Sequence, residues 1–281
     1  MNEYQYEYYV REFNKTELKG ALELYEKASA KRTEFLQKFP KESLETLPME
    51  GYLFAKSGYG RGDTFCCWVY SKLNEIATTG NLRPDIFGIY YRNGNELSLS
   101  RTFKREYDND FEAAYNEIRR QIVWLLEDVS MDKYDVIEKV DLAKPFVYKT
   151  LVVYFPDKFL PICVKKMMEE VCVAMDLPFS DKKKVILYDN IKLREMKEEH
   201  QSIRYWDNET FLGFCRYEHM VRAENCRKTA MSVLKNKDML SIDELRKACK
   251  YLYEKYPTDF VKDSNAKRCV MCLDYRENYE K

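Results

Sequence analysis

A dense hydrophobic stretch, residues 146–155, stands near the middle of the chain. It is apolar on nearly every side, which is typical of a segment buried all round. Pro145 suits the first turn of a helix, and Pro156 disfavours helical backbone at the residue before it. Val152 and Val153 would suit a strand equally well. We predict a central helix, which at this length is too short to cross a bilayer.

The pattern turns polar and then apolar again after Pro156. Asp157 and Lys158 predict a polar corner, and Phe159 to Ile162 returns to the core. Residues 165–175 then predict an amphipathic helix, because four of their apolar side chains repeat at helical spacing. These are Met168, Val171, Cys172 and Met175.

The N-terminal 40 residues place apolar side chains at helical spacing among Lys and Glu, and Pro40 closes the pattern, so we predict helix. Residues 52–55 can form a short strand. After a second helix, capped by Asp63 or Thr64, the strongest strand signal of the chain is a hairpin over residues 86–103. Asn93-Gly94 supplies the turn. The polar face of its return strand either faces solvent or binds a ligand.

Glycine alternation marks residues 56–63 as an exposed loop with Lys56 and Arg61. The segment does not match a nucleoside-triphosphate loop, because no Gly-Lys-Ser/Thr follows its glycines. Two interpretations stay open. The glycines either serve only a mobile surface loop that needs positive φ, or the loop contacts a DNA backbone through its N–H groups and its two cations.

Helical patterns dominate from residue 108 onward, including residues 111–126, capped by Asn109 or Asp110, and residues 208–217. We therefore predict an α+β fold, mostly helical, with a small antiparallel sheet in the N-terminal half. The expected segments are an N-terminal helical part at 1–50, a small β-rich part with the glycine loop and hairpin at 51–105, a helical core at 106–220 and a C-terminal helical part at 221–281.

Composition narrows the function classes. The chain has 281 residues with 47 Lys+Arg and 47 Asp+Glu, so its net charge is zero, which argues against a nonspecific coat for nucleic acid. Its start, MNEYQYEYYV, lacks the pattern of a secretory signal, and we expect a cytoplasmic protein without membrane contact. Cys269 and Cys272 form only half of a zinc-site pattern, so we expect no metal and no cofactor.

One string, YFPDKFLPI at Tyr154 to Ile162, resembles the region ahead of the AAA+ motor in McrB-type proteins, the GTP-driven, modification-dependent (type IV) restriction proteins. Flanking aromatic patterns resemble the same region, and together they cover about Tyr52 to Glu218. Those patterns contain Phe65, Trp68, Phe87, Gly88, Ile89, Tyr90 and Tyr91 upstream, and Asn190, Leu193, Trp206, Phe211, Phe214 and Tyr217 downstream. The chain has no phosphate-binding loop, so it lacks the motor of that family.

The resemblance implies a DNA-recognition module that works with a separate or missing AAA+ GTPase motor and a nuclease subunit, on double-stranded DNA, either modified or unmodified. We expect no catalytic residue, since neither a nucleophile elbow nor a histidine pair is present. The candidate nucleic-acid-binding residues are Lys56, Arg61, Trp68, Arg83, Tyr90, Tyr91, Arg92 and Arg101. For the three aromatic residues, core packing competes with base stacking. The alternatives are a protein-interaction or sensor protein of a defence system, and an unrecognised nuclease.

Overall fold

The computed structural model describes residues 3–54, 62–77, 83–92, 96–175, 177 and 185–217, which belong to one unit that ends at residue 217. Its fold is α+β, mostly helical with a two-stranded antiparallel sheet in the N-terminal half, as predicted. None of the helices in these ranges is long and apolar enough to cross a membrane. The predicted C-terminal helical part and the Cys269–Cys272 pair lie outside the described residues.

The helices fall on both sides of the small sheet in chain order. Before it come α1 (Glu3–Thr16), α2 (Leu18–Lys38), α3 (Met49–Tyr52) and α4 (Phe65–Cys67). The strands are β1 (Ile89–Arg92) and β2 (Glu96–Leu99). After it come α5 (Arg101–Tyr107), α6 (Phe111–Ser130), α7 (Val136–Lys139), α8 (Lys144–Tyr154), α9 (Lys165–Ala174), α10 (Val185–Glu199) and α11 (residues 208–217). Two 3-10 helices, Lys41–Thr46 and Pro84–Phe87, and a π-helical turn, Trp68–Lys72, complete the described part.

The central stretch is helix α8, as the proline spacing predicts. Pro145 lies in its first turn, the helix ends at Tyr154, and Phe155 precedes Pro156 outside it. Every residue from 146 to 153 is buried. A helix buried on all sides satisfies its backbone internally, which is why this segment need not be a strand.

The polar corner after α8 is fixed by hydrogen bonds to its backbone. Asn190 of α10 accepts a hydrogen bond from the Leu160 N–H at 3.0 Å and donates one to the Leu160 carbonyl at 3.3 Å. Lys158 Nζ donates to the Val129 carbonyl at 2.9 Å and to Asp132 at 2.7 Å. The corner therefore joins α8 to α6 and α10, while Asp157 points to solvent.

The predicted strand at residues 52–55 is wrong in its described part, and the predicted hairpin is present with different bounds. Residues 49–52 form helix α3, and Leu53 and Phe54 follow it without pairing into the sheet. The hairpin is also shorter than 86–103. A 3-10 helix occupies Pro84–Phe87, Gly88 adopts a positive φ of 82°, and α5 begins at Arg101, so each strand keeps only four residues.

The buried residues form two hydrophobic clusters, which we call the first core and the second core. The first core gathers α4, α6 and α8 with the inner side of the sheet. The second core gathers α1, α9, α10 and α11. Helix α2 follows α1 almost without a break, since the Glu17 N–H donates to the Phe13 carbonyl and the Ala21 N–H to the Glu17 carbonyl. Val10 and Phe13 lie in the second core, whereas Ala28 and Phe35 lie in the first.

Candidate nucleic-acid interface

The hairpin has one buried and one open face. Ile89 pairs with Leu99 and Tyr91 with Leu97, and all four side chains pack on the first core. Because side chains alternate along a strand, the residues between them share the opposite face. That face, which we call the outer face, consists of Tyr90 opposite Ser98 and Arg92 opposite Glu96. Arg92 and Glu96 are exposed, and Tyr90 and Ser98 are half-buried.

The base of the hairpin is held by backbone and aromatic contacts. The Ser100 N–H donates to the Gly88 carbonyl at 2.7 Å, which extends the pairing by one bond beyond the strands. The Tyr52 hydroxyl donates to the Phe87 carbonyl at 2.7 Å. Gly88 lies so close to α6 that an added Cβ would meet Ile118 at 2.7 Å. The outer face is thus presented by a rigid base.

The predicted arginines lie at both ends of the hairpin. Arg92 stands at the tip end of β1 and Arg101 opens α5 directly after β2, and both are exposed. Arg83 precedes the 3-10 helix; its side chain is 83% exposed and pairs with Asp85 at 2.7 Å. Within the described residues, no ion pair neutralises Arg92 or Arg101.

Helix α5 adds two cations that sequence reasoning missed. Lys104 and Arg105 are exposed, and they follow Arg101 at the i+3 and i+4 spacing that puts side chains on one side of a helix. In the described part of the chain neither carries an ion pair. The helical spacing of these cations could have been recognised in the sequence. It was missed because the predicted hairpin extended to residue 103 and assigned this segment to a strand.

The three candidate aromatic residues take different positions. The ring of Trp68 is buried, at 2% exposure, against Phe35 at 6.0 Å. Tyr91 is partly buried against the first core. Only Tyr90 belongs to the outer face, so it alone of the three is placed to stack on a base without disturbing the core. The reason is register, because Tyr90 and Tyr91 are neighbours on a strand and must point to opposite sides.

The glycine loop with Lys56 and Arg61 lies outside the described residues, but its two ends are defined. On one side Phe54 stacks on Phe87 at 6.0 Å, at the base of the hairpin. On the other side Asp63 precedes α4, where the hydroxyl of Thr64 accepts from the Cys67 N–H as the predicted cap. The described residues before the loop therefore lie at the base of the hairpin, and those after it lead into α4.

The Asp63 carboxylate accepts hydrogen bonds from three side chains. It accepts hydrogen bonds from Lys38 at the end of α2, from the Trp68 indole N–H at 2.7 Å and from Lys72 at 3.0 Å. These donors, Lys38 first, hold the pKa of the Asp63 carboxyl well below its usual range. Sequence reasoning did not find this group, because Lys38 is 25 residues from Asp63 and no spacing pattern links it to Trp68 and Lys72.

The described residues offer few side chains suited to metal binding or nucleophilic catalysis. It contains no group of three or more His, Cys, Asp or Glu side chains placed to hold a metal ion. The carboxylate of Asp110 caps α6 by accepting from the Ala113 N–H at 3.0 Å. Burial raises the pKa of the Cys163 thiol to about 12, so this cysteine stays protonated near neutral pH.

Comparisons of the chain with protein-family models, with curated proteins and with solved structures find no match.

Proposed function

We propose that this chain is a DNA-recognition module of a McrB-like restriction or antiviral defence system, and that a separate AAA+ GTPase motor and a nuclease act with it. The observation that carries the proposal is the outer face of the hairpin, an open two-stranded ribbon with Tyr90 and Arg92 on it. An exposed arginine stands at each end, Arg92 and Arg101, and neither forms an ion pair with another described residue. A two-stranded ribbon fits the major groove of DNA, and exposed arginines supply phosphate and base contacts.

The distribution of charge supports the same proposal. The whole chain is neutral, so long-range attraction to DNA must come from a local patch. The strands rise about 3.3 Å per residue, which separates the tip and base of the hairpin by roughly 10 Å. Arg92, Arg101 and the cations of α5 are therefore spread along a length that spans neighbouring phosphates of one DNA strand. Glu96, opposite Arg92, is the one acidic member of the outer face.

Titration of labelled duplexes, methylated and unmethylated, at two salt concentrations tests the proposal. Binding should weaken steeply as salt rises, because phosphate contacts release counterions. Arg92→Ala combined with Arg101→Ala should reduce the log–log salt slope by about 2, since each lost phosphate contact removes about one. The control is Arg11→Ala combined with Lys19→Ala, which removes the same charge from exposed positions on α1 and α2.

Substitutions of Tyr90 and Tyr91 distinguish base recognition from phosphate binding. Tyr90→Ala should remove any preference for modified DNA and leave the melting temperature nearly unchanged. Tyr91→Ala should instead lower the melting temperature, because this ring packs on the first core. If no duplex binds at low salt, or if the control variant weakens binding as much as the hairpin variant, the proposal is wrong.

A second candidate function is protein interaction, and it rests on a different surface. Tyr205 is 80% exposed and Tyr8 is 54% exposed. The Ser202 hydroxyl donates a hydrogen bond to Glu7, which brings the turn that carries Tyr205 beside α1. Exposed aromatic residues are common anchors of protein interfaces. Absence of DNA binding would favour this function.

A further inference from the structure

Three hydrogen-bond donors converge on Asp63 from two elements of the fold. Lys38 comes from the last turn of α2, and Trp68 and Lys72 come from the π-helical turn. We call Lys38, Lys72 and the Trp68 indole N–H the cradle. Asp63 itself is 58% exposed, whereas the Trp68 ring is almost fully buried.

The cradle is positioned by contacts that do not involve Asp63. Lys72 Nζ lies 4.5 Å from the centre of the Trp68 ring, a cation–π distance. Trp68 packs on Phe35 of α2, which ties the π-helical turn to the helix that carries Lys38. Lys38 is favoured in that last turn because the C-terminal end of a helix attracts a cation. The carboxylate is therefore the replaceable member of the group.

The chemistry of the cradle specifies an oxyanion. Two ammonium groups face one carboxylate, so the group keeps an excess positive charge. Lys31 lies 5.9 Å from the same ring, but Glu34 pairs with it at 2.9 Å. The indole N–H is too buried to be left without an acceptor, because an unsatisfied buried donor is costly. A phosphate group offers several acceptor oxygens and a negative charge, and so meets both demands.

We propose that Lys38, Lys72 and the Trp68 indole N–H form a phosphate-binding site, that Asp63 fills it in the described conformation, and that a backbone phosphate of DNA displaces this carboxylate. The inference rests on the proposed DNA-recognition function and assigns that function a second contact apart from the outer face. It also assigns Trp68 a role as a phosphate donor through its N–H, in place of the base stacking predicted from its ring.

The test uses the full chain with Asp63→Asn. Asparagine keeps an oxygen for the indole N–H but removes the competing charge. Inorganic phosphate should then shift the Trp68 indole N–H signal in a ¹H–¹⁵N spectrum at concentrations that leave the unsubstituted protein unaffected. Labelled duplex should bind about tenfold more tightly, the effect of freeing one charge-assisted contact. Adding Lys72→Gln to the Asp63→Asn chain should reverse both gains.

The possible outcomes separate this inference from the proposed function. Gains with both phosphate and duplex support the inference. A gain with phosphate alone keeps the site but overturns DNA as its ligand. If the hairpin variants weaken duplex binding while Asp63→Asn changes neither titration, DNA recognition stands and the cradle is only a structural clamp. Lys72→Gln in the otherwise unchanged protein is a second probe, and unaltered duplex affinity there also overturns the inference. Melting temperatures confirm that each variant folds.

Discussion

Phe159 shows how far burial at one residue can be reasoned from the sequence. The return of apolar residues after the polar corner predicted that Phe159, Leu160 and Ile162 point inward, and all three are buried. The Phe159 ring lies edge-on to Tyr134 at 6.0 Å. Asp157, at the same corner, is exposed. One corner therefore contains a core residue and a solvent residue two positions apart.

Phe159→Ala is expected to lower the free energy of unfolding by about 3–5 kcal/mol, because it removes a buried ring and leaves a cavity. Asp157→Ala should change it by less than about 0.5 kcal/mol, as is usual for an exposed surface residue. Denaturant unfolding of both variants checks the difference. A stable Phe159→Ala together with an Asp157→Ala that loses all binding or cleavage would identify the corner as an active site.

Lys149 is a residue whose environment the sequence did not reveal. It lies in α8 with no exposed surface, and Nζ donates to Asn74 at 3.0 Å. Burial lowers the pKa of Lys149 from 10.5 to about 8. A lysine inside a helical pattern is ordinarily assigned to solvent, and only the packing of residues distant in sequence places this one inside.

The lowered pKa makes stability depend on pH in a defined direction. Between pH 8 and 10.5 the unfolded chain holds the Lys149 proton and the folded chain does not, so this group raises stability as pH rises. Below pH 8 the folded chain carries the full cost of the buried charge. Lys149→Met should therefore raise the free energy of unfolding at pH 7 by up to about 3 kcal/mol, and the gain should shrink by pH 9.5. A gain that is equal at both pH values would contradict this account.

Among the elements, α8 was predictable and the hairpin boundaries were not. Pro145 and Pro156 delimit α8, and apolar residues on all sides distinguish a buried element from a surface one. Alternation over a few residues cannot separate a strand from the 3-10 helix at Pro84–Phe87. Gly88, which has a positive φ, follows that helix, and strand pairing begins there. Strand alternation predicted two faces for the hairpin, but the sequence alone did not decide which of them is the outer face.

Gly88 connects the 3-10 helix to β1, and its conformation sets the direction in which the chain enters the hairpin. Gly88→Ala should cost about 1–3 kcal/mol, because alanine resists a φ of 82° and its Cβ would meet Ile118 at 2.7 Å. The matched control is Gly20→Ala in α2, where nothing lies within 4 Å of an added Cβ. That change should stabilise the protein by roughly 0.5–1 kcal/mol. Thermal melts of the pair should move in opposite directions, and a neutral Gly88→Ala would refute the explanation.

At the scale of the whole described unit, an ion pair joins two helices distant in sequence. Arg32 of α2 and Glu209 of α11 pair with side chains only 8% and 11% exposed. Arg32 belongs to the half of α2 that packs on the first core, and α11 contributes Phe211 and Phe214 to the second. No sequence pattern linked these positions, because they are 177 residues apart.

Breaking this pair from one side should be costly. Glu209→Gln leaves a buried guanidinium without its counter-charge and should cost about 3–5 kcal/mol. Replacing both residues, Arg32→Met with Glu209→Leu, should cost less than the single change, because no buried charge remains. A double-mutant cycle on unfolding free energies, built from Arg32→Met, Glu209→Leu and the two together, measures the coupling. Additive losses would show that the pair contributes nothing beyond its separate side chains.

The π-helical turn at Trp68–Lys72 amounts to a one-residue insertion into a helix. The Leu73 N–H reaches back five positions to the Trp68 carbonyl at 3.1 Å. Deleting Ser71 would restore ordinary helical winding, in which each residue turns by about 100°. Either Trp68 or the residues from Lys72 onward would then face a new direction. The cradle and the buried residues Leu73 and Ile76 can coexist only with this extra residue, so the length of the segment fixes the directions of both.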